Sequence, residues 1–208
     1  MSSTKTVTLI MTGASGADYG LRLLEELIKA NIQVYLLISR PAQIVINMET
    51  NIKLPSRASD IEVFFTERYK TTDGQLKVFE REQWMAPIAS GSGVADATVV
   101  CPCTTGTLSA IAVGSSKNLL ERAADVALKE RKKLILVVRE TPFSEIHLQN
   151  MLSLTRMGAI IMPANPGFYH QPESINDLVD FMVARILDHL SIPQQLLKVW
   201  GKGENSSL

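Results

Sequence analysis

This 208-residue chain has few cysteines, few histidines and no formal net charge. Its two cysteines, Cys101 and Cys103, lie two apart at the end of an apolar run, and such neighbours on a strand are poor disulfide partners. The three histidines show no metal-ligand spacing, which argues against a zinc site. With 21 basic and 21 acidic residues, the formal net charge is zero, so we expect no general attraction to nucleic acid or to anionic membranes.

Long apolar runs are absent as well. No stretch approaches the roughly 20 residues of a membrane span, and the first residues lack the sections of a signal peptide. We therefore expect a cytoplasmic protein without a membrane partner. Hydrophobic residues make up 46% of the chain and charged residues 20%, a balance typical of an α/β protein that hides surface in subunit contacts. The length suits one domain over residues 1–200, followed by a disordered tail over residues 201–208.

The first apolar run leads into a glycine-rich turn and then into a helical pattern. Val7–Met11 is a predicted strand, and the start of the helix after Thr12–Gly16 offers free N–H groups to an anion such as phosphate. Ser15 stands where a dinucleotide site has its second glycine, and the second strand ends in Ser39 instead of an acid. The pattern therefore favours a mononucleotide. Ser39 either caps the helix that Pro41 opens or binds the ligand.

Strands and helices alternate along the rest of the chain. Strands are predicted at residues 33–38, 97–101, 134–138 and 159–162, and helices at 41–48, 55–65, 104–113, 119–130, 144–157, 174–189 and 193–200. Residues 68–70 and 76–78 flank an Asp-Gly turn and predict an exposed hairpin. The alternation is typical of an α/β protein with a Rossmann-like (flavodoxin-like), doubly wound, mostly parallel sheet and helices on both faces.

Polar residues collect at the strand ends, where a doubly wound sheet binds its ligand. Thr104, Thr105 and Thr107 open a helix and offer hydroxyls to an anion or to a flavin edge, although capping needs only one of them. Arg139 and Glu140 follow an apolar strand. They are either a phosphate-binding guanidinium beside an acid or base, or a salt-bridge pair at the edge of the sheet.

Further candidates lie on helices and in the last loop. Arg122 and Lys129 share one helical face, a spacing that a solvated charged surface also explains. Arg185 lies in an apolar stretch, where an unpaired charge is costly, so we expect it to need an anionic partner. Tyr169 follows a Pro-Gly loop, from which its hydroxyl reaches a phosphate or its ring packs with Phe168. Aromatic side chains such as Trp84 and Trp200 either wall a cavity or belong to the core.

Six ordered motifs cover most of the chain. They are GASGA at 13–17, APIASGS at 86–92, CPCT at 101–104, NLLERAADV at 118–126, RETP at 139–142 and PANPGFY at 163–169. Together they resemble the bacterial UbiX-type flavin prenyltransferases, from about Val7 to about Trp200. Residues 53–83 carry little of the family pattern, and Gly106 stands where many relatives have a lysine.

The resemblance implies a homo-oligomeric flavoprotein, commonly a dodecamer, that uses FMN as a substrate. Reduced FMN is alkylated at N5 by dimethylallyl monophosphate and closed onto C6, without a metal. The product, prenylated FMN, serves a partner UbiD-type decarboxylase, with ubiquinone biosynthesis as the associated pathway. The alternatives are an FMN-dependent cysteine decarboxylase, which keeps its FMN bound, and a non-catalytic nucleotide-binding module.

The resemblance also implies roles for individual residues. The expected FMN-binding residues are Gly13, Ala14, Ser15, Ser39, Thr104, Thr105, Gly106, Thr107 and Arg139. The expected dimethylallyl phosphate-binding residues are Arg122, Lys129, Arg139, Glu140, Tyr169 and Arg185. The expected catalytic residues are Glu140, Glu49, Ser15, Lys129, Tyr169 and Trp84. Within this set the cations replace a metal, Trp84 is an aromatic wall for an allylic cation, and Glu140 or the released phosphate takes the C6 proton.

Overall fold

A computed structural model describes residues 5–197 of the chain. The chain divides into two compact units, Met1–Ala164 and Asn165–Leu208. Among the described residues, the first unit contains six strands, six α-helices and two short 3-10 helices, and the second contains one long α-helix. A single domain over residues 1–200 therefore stays a prediction. None of the helices in residues 5–197 has the length and apolar character needed to cross a bilayer.

Six parallel strands form the sheet of the first unit. They are β1 (Thr6–Met11), β2 (Gln33–Ile38), β3 (Leu76–Val78), β4 (Ala97–Cys103), β5 (Lys133–Val138) and β6 (Ile160–Pro163). Their order is β3-β2-β1-β4-β5-β6, and each neighbouring pair is parallel. This confirms the predicted doubly wound α/β fold and places the switch in strand order between β1 and β4, where such folds bind ligands.

Helices cover both faces of this sheet. These helices are α1 (Ala17–Lys29), α2 (Arg40–Glu49), α3 (Ala58–Tyr69), α4 (Thr105–Ala112), α5 (Leu119–Lys129) and α6 (Glu145–Arg156). The second unit contains α7 (Ile175–Leu190). Ile10, Val100 and Leu136 share a buried cluster with residues of α4, α5 and α6. The next side chain along β1, Met11, instead lies against Gly20 of α1. Alternate residues of the strands are therefore buried on opposite faces.

Side-chain caps fix where two helices begin at the carboxyl edge of the sheet. Ser39 Oγ accepts a hydrogen bond from Ala42 N at 3.1 Å, and Thr104 Oγ1 accepts one from Thr107 N at 3.1 Å. Both cap roles predicted from the sequence are confirmed. The first turns of α2 and α4 consequently lie on either side of the switch point.

The predicted hairpin over residues 68–78 is wrong. Its first half is the end of α3, and its second half, β3, pairs with β2 in the parallel sense. Phe65 and Tyr69 are four apart, and their rings stack at 5.7 Å, which a helix permits and a strand does not. Buried Phe65 therefore keeps the segment helical until Lys70, which adopts the left-handed conformation at the end of the helix.

The helix predicted over residues 193–200 is also wrong in its described part. Residues 193–197 are irregular, and Gln194 Oε1 accepts a hydrogen bond from Leu197 N at 3.0 Å. The side chain thus takes the place that a backbone carbonyl would have in a helix. Residues 198–200, including Trp200, and the predicted tail at 201–208 lie outside the described residues.

Candidate active site

A cavity of about 270 Å³ opens at the carboxyl edge of the sheet, beside the switch point. Its lining residues are Thr12, Gly13, Ser39, Pro41, Arg81, Thr104, Thr107, Asn118, Leu120 and Glu121. Four of the expected FMN-binding residues are thus together, from the ends of β1, β2 and β4. Hydroxyls and the start of α4 give this cavity the chemistry of an anion site.

Thr12 ties the ends of β1 and β4 together below the cavity. Its hydroxyl donates to Pro102 O at 2.8 Å, and its Oγ1 accepts from Thr104 N at 2.9 Å. The side chain is buried, so these bonds are shielded from water. Sequence reasoning missed Thr12, because its position before the glycine turn does not show that it bridges two strands.

The threonine turn has room for a ligand. Thr104 Oγ1 donates to Thr107 Oγ1 at 2.9 Å while it caps α4, so both hydroxyls lie at the same helix start. A methyl group at Gly106 would find its nearest neighbour, Thr104 Oγ1, 3.9 Å away. The space beside Gly106 is therefore open.

The N-terminus of α1 already has an anionic partner in the protein. Glu49 Oε2 accepts hydrogen bonds from Gly16 N and Ala17 N, each at 2.9 Å. Gly16 has φ 98°, a backbone conformation that glycine adopts without strain. The carboxylate of Glu49 thus occupies the place at which the sequence suggests a ligand phosphate.

Ser15, Glu49 and Arg139 form one cluster beside this helix start. Arg139 Nε donates to Ser15 O at 3.2 Å. Burial raises the pKa of Glu49, but hydrogen bonds from the Ser15 side chain and from the Ala17 and Gly16 N–H groups, with the charge of Arg139, outweigh it and lower the pKa. Glu49 is therefore a carboxylate at neutral pH.

Glu140 lies between the end of β5 and the start of α4. Its Oε2 accepts a hydrogen bond from Thr105 Oγ1 at 3.4 Å, and Arg139 N donates to Cys103 O at 3.2 Å. The ends of β4 and β5 are therefore joined, and Glu140 and Thr105 belong to the same edge as Ser15 and Arg139. The structure brings these expected site residues together.

Arg122 and Lys129 lie beside a second segment, the loop over residues 86–93. Arg122 Nε donates to Ala89 O at 3.0 Å, and its guanidinium pairs with Asp125 at 2.9 Å. Lys129 pairs with Glu130. A methyl group at Gly91 would contact the side chains of Lys129 and Glu130. Arg122 and Lys129 thus both lie beside the loop over residues 86–93, but neither lines the cavity at the switch point.

Trp84 precedes this loop. Its side chain is partly exposed, at 45%, and Met85 beside it is almost fully exposed. Like the two cations, Trp84 is not among the residues that line the cavity at the switch point.

Tyr169 and Arg185 lie in the second unit. Arg185 pairs with Asp188 at 3.0 Å, and its side chain is 49% exposed. Asp188 is the anionic partner that the sequence predicts for Arg185. The charge is not buried, because α7 buries the neighbours Ala184 and Ile186 on one face and turns Arg185 outward. Tyr169 is 59% exposed, so its ring is not buried as one of the two sequence alternatives requires, and it packs edge-on against Phe181 at 5.8 Å.

Glu121 and Asn118 line the cavity and were missed as well. Glu121 accepts from Ser115 Oγ at 2.8 Å, from Lys117 N at 2.9 Å and from Asn118 Nδ2 at 2.8 Å. Burial raises the pKa of Glu121, but these bonds outweigh it and lower the pKa. The Asn-x-x-Glu spacing at the start of α5 is a capping pattern and was the available signal. Arg81, the remaining polar lining residue, carries no such signal.

The two cysteines, Cys101 and Cys103, are buried and free. Burial raises the pKa of both thiols, that of Cys103 to about 12. Neither is a thiolate at neutral pH. Within the described part of the chain, no three His, Cys, Asp or Glu side chains gather as a metal site.

Known proteins resemble this chain along nearly its whole length. A family model described as Flavoprotein matches residues 1–187. Flavin prenyltransferase UbiX of Pseudomonas aeruginosa is 57% identical over 202 residues, which cover 97% of each chain.

Two solved structures are similar as well. AnUbiX (PadA1) in complex with FMN and dimethylallyl pyrophosphate has a TM-score of 0.84 and 39% identity, covering 97% of this chain and 100% of its own. A dodecameric FMN-dependent UbiX-like decarboxylase from Escherichia coli O157:H7 has a TM-score of 0.81 and 38% identity, covering 94% and 98%.

Proposed function

The chain belongs to the flavoprotein family and, within it, to the UbiX flavin prenyltransferases, and on that premise we propose that it transfers a dimethylallyl group from dimethylallyl monophosphate to reduced FMN. The observation that carries this function is the 57% identity to a flavin prenyltransferase over 97% of both chains. FMN is a substrate, and the product is FMN prenylated at N5 and C6. The reaction needs no metal.

The reaction makes three demands on the site. The C–O bond of dimethylallyl monophosphate breaks, phosphate leaves with the electron pair, and the allylic carbon bonds to N5, which loses its proton. A second bond, to C6, closes the ring, and a proton added to the alkene balances the proton that leaves C6. The site therefore needs cations for the phosphate, an aromatic wall for the allylic cation and a group that moves protons.

The cavity at the switch point supplies the FMN site in this proposal. Ser39, Thr104 and Thr107 present hydroxyls there. Gly13 also lines the cavity, and it must be glycine because a methyl group there would lie 2.3 Å from Pro41 Cβ. Ala14, Ser15, Thr105, Gly106 and Arg139 continue this surface toward the reacting edge of the flavin. In support, Arg139 bonds Ser15, and Thr105 bonds Glu140, at the same edge of the sheet.

The leaving phosphate is bound by cations in this proposal. Arg139 adjoins the flavin site, and the resemblance to the prenyltransferases assigns Arg122, Lys129, Arg185 and the Tyr169 hydroxyl to the same substrate. Each of the three other cations is paired with a carboxylate, Asp125, Glu130 or Asp188, that an incoming phosphate would displace or join. These partners keep the cations from being left unpaired before the substrate binds.

Proton transfer is assigned to Glu140, with Ser15 and Glu49 as helpers. The Thr105 hydroxyl orients the Glu140 carboxylate from 3.4 Å. Glu49 holds the start of α1 and, through Ser15, the position of Arg139. Trp84, with its partly exposed ring, serves as the aromatic wall.

Assembly and partners extend the proposal. We infer a homododecamer, supported by the dodecameric relative from Escherichia coli, and a UbiD-type decarboxylase that receives the product. We infer a cytoplasmic location as well, which the free thiols of Cys101 and Cys103 support.

The test of this mechanism is Glu140→Gln, with Glu145→Gln as the control. Under anaerobic conditions, phosphate release per flavin consumed should be one to one for the wild type. The Glu140 variant should prenylate FMN roughly 100-fold or more slowly, because it lacks the proton-transfer group, while its FMN affinity stays unchanged. The Glu145 variant should react like the wild type. Loss of FMN binding in the Glu140 variant would instead give this residue a structural role.

A further inference from the structure

Arg81 brings a positive charge to the cavity at the switch point. It follows β3 in the chain, and its carbonyl accepts a hydrogen bond from Leu119 N at 2.8 Å, which fixes this part of the loop beside the start of α5. Arg81 lines the cavity of about 270 Å³ and also a neighbouring cavity of about 460 Å³. It is therefore at the junction of the two.

Within the part of the chain that the structure describes, the positive charge of Arg81 has no cationic neighbour in the lining of the 270 Å³ cavity. Arg81 is the one lysine or arginine among the described residues that line it, facing a set that includes the hydroxyls of Ser39, Thr104 and Thr107. Its ion pair with Glu82 is long, at 3.8 Å, and both side chains are exposed, at 41% and 68%. Such a pair contributes little to stability, and the guanidinium of Arg81 stays available to a ligand.

Glu121 lies in the same cavity, but its carboxylate oxygens are already hydrogen-bonded within the protein. Three donors, from Ser115, Lys117 and Asn118, take up both of its carboxylate oxygens. The cavity thus combines hydroxyls, a helix start and one uncommitted guanidinium, the combination that binds a phosphate monoester.

Resting on the proposed function, we propose that Arg81 binds the phosphate of FMN and gives the site its preference for FMN over riboflavin. The guanidinium is a specificity residue and takes no part in the prenyl transfer. Riboflavin lacks the phosphate, so it gains nothing from Arg81. The phosphate of dimethylallyl monophosphate is bound elsewhere, by the cations assigned above.

The experiment compares FMN and riboflavin binding to three variants of the full chain by quenching of flavin fluorescence. Arg81→Gln should weaken FMN binding roughly tenfold, the low end of the range for a charge-assisted hydrogen bond, since the side chain is partly exposed. Riboflavin affinity should not change, which also shows that the variant is folded. Arg81→Lys should fall between the wild type and Arg81→Gln.

Arg40→Gln is the matched control. Arg40 lies next to Ser39, but it lines the 460 Å³ cavity and not the 270 Å³ cavity. The FMN affinity of this variant should therefore stay at the wild-type value. Equal FMN affinity of wild type and Arg81→Gln would overturn the inference, as would an equal loss for FMN and riboflavin or an equal effect of Arg40→Gln. A wild type that binds FMN but forms no prenylated flavin would contradict the proposed function while leaving the Arg81 comparison intact.

Discussion

Glu49 is a residue that serves a helix and a candidate site at once. Its carboxylate accepts from two N–H groups at the start of α1, and it also interacts with Ser15 and Arg139. A carboxylate at this position is favourable because it meets the positive end of the helix dipole. The order of the site around Ser15 therefore depends on the charge of Glu49.

The lowered pKa of Glu49 predicts a pH-dependent contribution to stability. Since the pKa is lower in the folded than in the unfolded chain, the contribution is present above the ordinary carboxyl pKa and is lost as the pH falls through the folded value. Glu49→Gln should therefore reduce the free energy of unfolding at pH 7 by at most about 1 kcal/mol, because the side chain is exposed and screened.

Urea unfolding at pH 7 and at about pH 3.5, below the ordinary carboxyl pKa, measures this effect. The difference between wild type and Glu49→Gln should shrink at the lower pH. Glu67→Gln, at an exposed position of α3, should change neither value. A difference that is the same at both pH values would show that the charge of Glu49 does not stabilise α1.

Residues whose role is local could be predicted from the sequence, and residues whose role depends on distant neighbours could not. Ser39 and Thr104 are caps of the helices that follow them, so spacing alone identified both. Thr12 and Arg81 line the cavity only because β1, β4 and the loop after β3 converge there. That convergence is a property of the strand order, which a one-dimensional pattern does not contain.

At the scale of elements, the close approach of α1 to the sheet depends on one glycine. A methyl group at Gly20 would lie 2.4 Å from Cys101 O and 2.6 Å from Met11 Cε. The carbonyl belongs to β4 and cannot move without disturbing the sheet. The spacing between α1 and β4, and with it the position of the Gly13–Gly16 turn, therefore requires glycine here.

Gly20→Ala should destabilise the protein by about 1–3 kcal/mol through overpacking. Gly106→Ala is the control, because it is also a helical glycine but its nearest neighbour would be 3.9 Å away, so it should not lower stability. Thermal unfolding should show a fall of roughly 2–4 °C per kcal/mol for a chain of this size. A Gly20 variant as stable as the wild type would mean that α1 shifts freely on the sheet.

The sequence predicted helices and strands correctly where one periodicity was strong. The prediction failed where two signals competed. The buried strands β1, β4 and β5 are mostly apolar runs and were all predicted. The segment ending α3 was mistaken for a strand because the Asp-Gly turn after it is also a hairpin signal. The apolar composition around Arg185 predicted its anionic partner, Asp188, but does not show that α7 turns this side chain outward.

At the scale of the whole molecule, the first unit exposes many large apolar side chains. They are Ile44, Met48, Val63, Trp84, Met85, Val113, Ile146, Leu148, Leu152 and Met157. Scattered apolar side chains are common on protein surfaces, but neighbouring ones, such as Leu148 and Leu152 one turn apart on α6, form the kind of patch at which proteins associate. This patch supports the proposed homododecamer.

The α6 helix provides a test of that assembly. Leu148 and Leu152 are one turn apart and 54% and 51% exposed, so Leu148→Asp with Leu152→Asp should place charges in a subunit contact. Light scattering should give twelve times the chain mass of 22.9 kDa for the wild type and a smaller assembly for the double variant. Gln149→Asp, at an exposed polar position of the same helix, should assemble like the wild type. A monomeric wild type would contradict the proposed dodecamer.

The mass of the flavin after reaction tests the proposed activity most directly. The protein is incubated without oxygen with reduced FMN and dimethylallyl monophosphate, and the flavin is analysed by mass spectrometry. Prenyl transfer predicts a flavin heavier by one dimethylallyl unit, formed in the presence of a metal chelator as well. Unchanged FMN, which a cysteine decarboxylase or a nucleotide-binding module would leave behind, would contradict the proposed function.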